Sequence, residues 1–64
     1  MELFKSINIS NQSDIISASS DALEIAKKIG FNETASYSIS IAVSELASNI
    51  YKYAKNGYIH IKII

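Results

Sequence analysis

The amino-acid sequence predicts an α+β fold, a two-layer α/β sandwich whose elements run strand, helix, helix, strand. Three observations carry this: period-two alternation near both ends, three- and four-residue apolar recurrence between them, and capping or breaking residues at the junctions. Leu3, Lys5, Ile7 and Ile9 alternate with Phe4, Ser6 and Asn8, an imperfect pattern for a short strand from Leu3 to Ile9. Asn11, Gln12, Ser13 and Asp14 follow, with side-chain oxygens suited to the free N–H groups of a helix start. Ile15, Ala18, Ala22, Ile25, Ala26 and Ile29 then build one apolar stripe, which predicts a helix over Ser13 to Ile29 ended by Gly30 in a left-handed conformation.

Phe31 to Thr34 reads as a connector. Beyond it, Ile39, Ala42, Val43, Leu46, Ile50, Tyr53 and Ala54 place an apolar stripe on a second, longer helix. Lys55, Asn56 and Gly57 supply a stop and a tight turn, and Tyr58 to Ile64 alternates Ile59, Ile61 and Ile63 with Tyr58, His60 and Lys62 as a half-buried strand. Both helices are expected on one face of the sheet. The sequence ends within an apolar strand, so residues 1–64 are read as the opening part of a larger domain.

Composition narrows the function classes. Sixty-four residues make one domain at most, and a chain of that size buries only about 60% of its unfolded surface. Hydrophobic residues make up 48% and proline is absent, which fits a folding chain and not a disordered tail. Six basic residues balance six acidic ones, so no phosphate-binding patch selects nucleic acid or an anionic membrane surface. Without cysteine there is neither a disulfide framework nor a thiolate metal site. The first ten residues lack a basic segment leading into an apolar one, and no stretch approaches the ~20 apolar residues of a membrane span. The expectation is a soluble, cytoplasmic protein.

Glu45, Asn49 and Lys52 are spaced by four and three residues on the second helix, so they fall within roughly 60° of one another. Their face adjoins the apolar stripe, where a cleft would form at the margin of the core. An amide oxygen suits a hard cation, a carboxylate takes a proton or holds a metal-bound water, and an ammonium meets phosphate oxygens. The same residues at the same spacing also suit a plain solvated helix face. Spacing alone leaves both readings open.

The wording of the whole stretch distinguishes them. Ile41-Ala42-Val43-Ser44-Glu45-Leu46-Ala47-Ser48-Asn49-Ile50-Tyr51-Lys52-Tyr53-Ala54 resembles the N-box helix of the GHKL, or histidine-kinase-like, ATPase superfamily. The form is that of the anti-sigma regulatory factor serine/threonine kinases, and within them of the stress-response switch kinases. Ala26 to Phe31 and Gly57 to Ile61 are similar to that family's flanks, so the resemblance covers about Ile15 to Ile61. It implies the N-terminal portion of a Bergerat-type fold, truncated before the adenine-binding Asp and the glycine-rich lid.

Carried over position by position, Glu45 matches the catalytic carboxylate that orients or deprotonates the attacking hydroxyl. Asn49 matches the Mg ligand that bridges ATP phosphates. Lys52 matches a position that meets phosphate in related histidine kinases, and Tyr53 one whose ring lies against adenine, although Tyr53 equally suits a packed core aromatic. The implied cofactor is Mg-ATP. The implied partners are a STAS-domain anti-sigma-factor antagonist as substrate and, in some branches, a sigma factor; unfinished apolar edges also favour homo-association.

Two other readings compete. The same fold without catalysis would serve as a docking fragment. A helix-turn-helix module is suggested by Ile25 to Phe31 followed by a second helix, but a recognition helix from Thr34 would offer DNA no Lys or Arg before Lys52. His60, without a second His or any Cys, is read as a solvent-facing strand residue or one packed under a neighbour, and Ser17 to Ser20 as a polar helix face.

Overall fold

The computed structural model describes residues 3–63, and the side chains of residues 4–62. Strand β1 (Leu3–Ile9) is followed by helix α1 (Ser13–Lys28), helix α2 (Glu33–Ala54) and strand β2 (Gly57–Ile63). The expected order and α+β class hold; the last residue expected in the second strand, Ile64, lies outside the described residues. The two strands pair antiparallel, with Ile7 opposite Ile59, Lys5 opposite Ile61 and Ile9 opposite Gly57.

Alternation gives this small sheet two unlike faces. Ile7, Ile9 and Ile59 are buried with Ala18 of α1 and Ala47 of α2, so both helices cover the same side. Phe4, Tyr58 and His60 lie on the other side and are exposed. There the His60 ring stacks at 5.5 Å from Phe4 and 6.3 Å from Tyr58, as offset cross-strand and same-strand neighbours do. Lys5 explains the imperfection in the first alternation: it falls on the helix side of β1, and its ammonium reaches Asp21 of α1 at 3.3 Å.

The start of α1 is a reciprocal cap. Asn11 Oδ1 accepts from the Asp14 backbone N–H (3.2 Å), while Asp14 Oδ2 accepts from the N–H groups of Asn11 (3.2 Å) and Ser10 (2.9 Å). Asn11 and Asp14 do this work; the Gln12 side chain makes no cap bond. The Ser10 N–H bond, aided by those of Asn11 and the Ser10 hydroxyl and opposed by desolvation, holds the Asp14 carboxyl below the usual carboxylate value. At the other end α1 stops at Lys28, one residue earlier than predicted. Gly30 sits at φ +106° and the Phe31 N–H donates to Ala26 C=O (3.1 Å) while the Gly30 N–H donates to Lys27 C=O (3.2 Å), a complete Schellman closure.

Helix α2 begins earlier than the expected connector allows. Asn32, with φ −68° and ψ 172°, caps it by accepting from the Ala35 N–H at 2.8 Å, so Glu33 and Thr34 form its first turn. Its buried stripe is also rotated from the predicted one. Ser36, Ser40 and Ala47 are buried; Ala42, Leu46, Tyr53 and Ala54 are exposed; Ile39, Val43 and Ile50 are half-buried as their pattern suggests. The physical reason is the approach to α1, whose buried positions are Ala18, Ala22 and Ala26, and small side chains on both helices let the backbones come close. The serine hydroxyls satisfy themselves on backbone carbonyls, Ser40 on Tyr37 at 2.8 Å and Ser36 on Phe31 at 3.3 Å.

The turn into β2 is built from the residues expected there. Lys55 takes the left-handed conformation (φ 69°) that ends α2. Gly57 opens β2 and serves packing: a Cβ there would stand 2.9 Å from Ile50 Cγ2. Lys55→Gly is therefore expected to raise stability by up to about 1 kcal/mol in denaturant unfolding. Gly57→Ala should lower it, because Ile50 is packed against the core cluster and must shift. The cap predicts a pH dependence as well. A depressed folded-state pKa gives Asp14 a contribution that is present above its unfolded pKa and is lost as pH falls through the folded value. Asp14→Asn should flatten the acid limb of a melting-temperature against pH profile, and an unchanged limb would refute this assignment.

Candidate functional site

α2 presents its polar residues on the side turned from the sheet. Glu45, Asn49 and Lys52 are all exposed, and their four- and three-residue steps keep them on one strip of the helix. Tyr53 follows one position on and is 76% exposed, so its ring is not packed within the core of the described residues. The Lys52 ammonium lies 5.5 Å from the centroid of that ring. A second cation rests similarly at the end of the helix, Lys55 over Tyr51 at 5.7 Å.

Among the described residues, the carboxylate of Glu45 and the amide of Asn49 form no ion pair or side-chain hydrogen bond. Their polar atoms stand free in solvent. Nothing in the packing of the helix requires them, since burial in this region falls to Ala47 and partly to Ile50 and Tyr51. No group of three or more His, Cys, Asp or Glu able to enclose a metal ion occurs among the described residues.

A concavity lies elsewhere, about 380 Å³, lined by Ile25, Ile29 and Phe31 from α1 and its closing turn, Val43 and Leu46 from α2, and Ile61 from β2, among others. None of Glu45, Asn49, Lys52 or Tyr53 lines it. The separation of the two has a local cause. Leu46 turns toward this groove, and Glu45, about 100° away around the helix, turns out of it. Sequence reasoning took Leu46 as a core residue; it is 50% exposed on the wall of an open groove. Periodicity marks a side chain as apolar but does not say whether a partner covers it.

Comparison with known proteins adds a relationship in sequence. The chain is 39% identical over 56 residues to the serine/threonine-protein kinase RsbT of Bacillus subtilis (strain 168). That stretch takes in 88% of this chain and 42% of RsbT, so the chain spans less than half the length of this relative. No family model and no solved structure matches. The relation is one of sequence to a serine/threonine-protein kinase. Among the described residues no helix is long and apolar enough to cross a membrane.

Because the four side chains are exposed, Glu45→Gln, Asn49→Ala, Lys52→Ala and Tyr53→Ala are each expected to change unfolding stability by no more than about 0.5 kcal/mol. Ala47→Leu, at a fully buried position, is expected to cost about 1–3 kcal/mol by overpacking. Chemical denaturation of the five variants separates surface groups from the helix-packing side.

Proposed function

We propose that the outer strip of α2 is the phosphate end of a Mg-ATP site in a serine/threonine protein kinase of the GHKL anti-sigma regulatory type. The observation that supports this most is the pairing of two facts. Among the described residues Glu45 and Asn49 have polar atoms committed to no partner, and they sit in a segment of sequence related to a serine/threonine-protein kinase.

The roles follow from chemistry and placement. Asn49 would hold Mg²⁺ by its amide oxygen, and the cation would neutralise charge on the phosphates. Lys52 would add a mobile point charge, released from the face of Tyr53 toward a phosphate oxygen. Glu45, about one helical turn before Asn49, would orient an acceptor hydroxyl or accept its proton. Tyr53 offers a ring face to adenine. The acceptor in this reading is a serine or threonine of a STAS-domain antagonist in a bacterial partner-switching pathway, in the cytoplasm, with a sigma factor as the further partner.

Phosphoryl transfer depends on positioned metal and charge on several sides of the phosphates. One exposed helix strip supplies a single wall, so residues 1–64 by themselves are expected to hold nucleotide weakly and to transfer nothing measurable. A docking role without catalysis is the second reading, and the open apolar groove beside β2 favours it.

Titration of Mg-ATP, followed through the amide resonances of Glu45, Asn49 and Tyr53, separates the two. Saturable shifts with a dissociation constant on the order of millimolar, lost in Asn49→Ala and without added Mg²⁺, are the expected result. A dispersed spectrum that does not respond up to saturating nucleotide would refute the nucleotide site and leave the docking reading.

A further inference from the structure

Of the five asparagines in the sequence, only Asn56 is followed by glycine. Its carboxamide therefore has next to it a backbone nitrogen with no side chain to crowd it. The other four stand before Ile9, Gln12, Glu33 and Ile50. They are also held in other ways. Asn11 Oδ1 accepts from the Asp14 N–H and Asn32 Oδ1 from the Ala35 N–H. Asn8 lies within β1 before a β-branched residue, and the nitrogen after Asn49 is inside α2, where it is committed to the carbonyl one turn back. Asn56 belongs to neither neighbouring element, and among the described residues its side chain makes no hydrogen bond. These are properties of the link itself and of what packs on it.

We propose that Asn56 is a self-modification site, at which attack by the Gly57 backbone nitrogen yields an isoaspartate that displaces β2 from its place against α2. The Gly57 nitrogen gives up its proton and bonds to Asn56 Cγ, while the bond from Cγ to Nδ2 breaks and ammonia leaves. Water then opens the resulting succinimide at either carbonyl. Opening on one side leaves an aspartate; opening on the other leaves an isoaspartate, with the main chain rerouted through Cβ. Nothing is oxidised or reduced, and water is the only co-reactant.

The structure gives this change a consequence. Isoaspartate lengthens the main chain by a methylene in a link that holds only Lys55 and Asn56. On one side of it Lys55 is fixed in the left-handed conformation that ends α2. On the other, Gly57 packs so near Ile50 that even a Cβ would stand 2.9 Å from Ile50 Cγ2. The added atom cannot be taken up toward α2, so it pushes the start of β2, where Gly57 pairs with Ile9 and Ile59 with Ile7. Ile7, Ile9 and Ile59 are core residues, and a shifted strand draws them out of contact. Either product also adds a negative charge beside the C-terminal carbonyls of α2, which already carry negative partial charge. The proposal does not rest on the nucleotide site.

Ageing of the whole chain in mildly alkaline buffer tests it, with peptide mass mapping to find the site and an isoaspartyl methyltransferase as the probe of the product. The expected result is ammonia loss confined to the Asn56 peptide, at a rate that rises with hydroxide concentration, with isoaspartate as the main product. The folded chain should react less than roughly a hundredfold more slowly than the same chain in urea, because the link lies outside both elements. A greater retardation, or comparable loss at another asparagine, would overturn the site. Asn56→Gln, whose longer side chain closes the equivalent ring far more slowly, should age without change, and ageing like that of the unaltered chain would overturn it too. Asn56→Asp carries the new charge without the extra main-chain atom. The isoaspartate form, separated by ion exchange, is expected to melt below both the unaged protein and Asn56→Asp; melting no lower than Asn56→Asp would refute the displacement of β2.

Discussion

Everything in this small protein depends on how closely α1 and α2 approach. Ala18, Ala22 and Ala26 on one helix and Ser36, Ser40 and Ala47 on the other are the buried positions, and their short side chains permit a separation that leucines would forbid. The Lys27 ammonium, 5.4 Å from the Tyr37 ring, adds a contact between the two helices near their connecting turn. Once the small residues are turned inward, the bulky ones have nowhere to go but the flanks. Ile39, Val43 and Leu46 form a groove wall on one side, and Glu45, Asn49 and Lys52 meet solvent on another. The placement of polar groups is thus set by the packing of groups that do no chemistry.

The hydrophobic core that results is thin. Ile9 is the largest apolar side chain that is fully buried, and the cluster around it consists of Ile7, Ile59 and two alanines. A chain of this length has about 3–10 kcal/mol of stability in all, and removing one buried isoleucine costs about 2–5 kcal/mol. Local devices therefore carry unusual weight. The Asn11 and Asp14 cap, the Asn32 cap and the Gly30 closure each fix a helix end that a larger core would otherwise hold by burial.

Much of this was legible in the residues. The alternation at the two ends gave the strands and their inner faces, and Ile15 to Ile29 gave the stripe of α1 correctly because alanines and isoleucines share one repeat there. The α2 stripe was misjudged because hydropathy ranks Leu46 and Tyr53 above Ser36 and Ser40, whereas close helix contact ranks them by size. Asn32 carries its own signal, since Asn before Glu-Thr is a recognisable cap. The left-handed Lys55 could not have been anticipated with Gly57 two residues away. At the site, spacing alone fixed that Glu45, Asn49 and Lys52 share a strip. It could not fix what stands opposite that strip, because a cleft needs a second wall and helical periodicity describes only one.

The link between α2 and β2 is just Lys55 and Asn56, and it is braced on its far side by Gly57 against Ile50. Such a junction has no slack. Gain or loss of one residue there would turn β2 over, sending Tyr58 and His60 toward the helices and Ile59 and Ile61 to solvent. Substitutions on the outer faces leave the fold a wide margin, but length at this position is fixed. Insertions and deletions in related chains should accordingly gather between α1 and α2 or at the ends of the unit, and avoid residues 55–57.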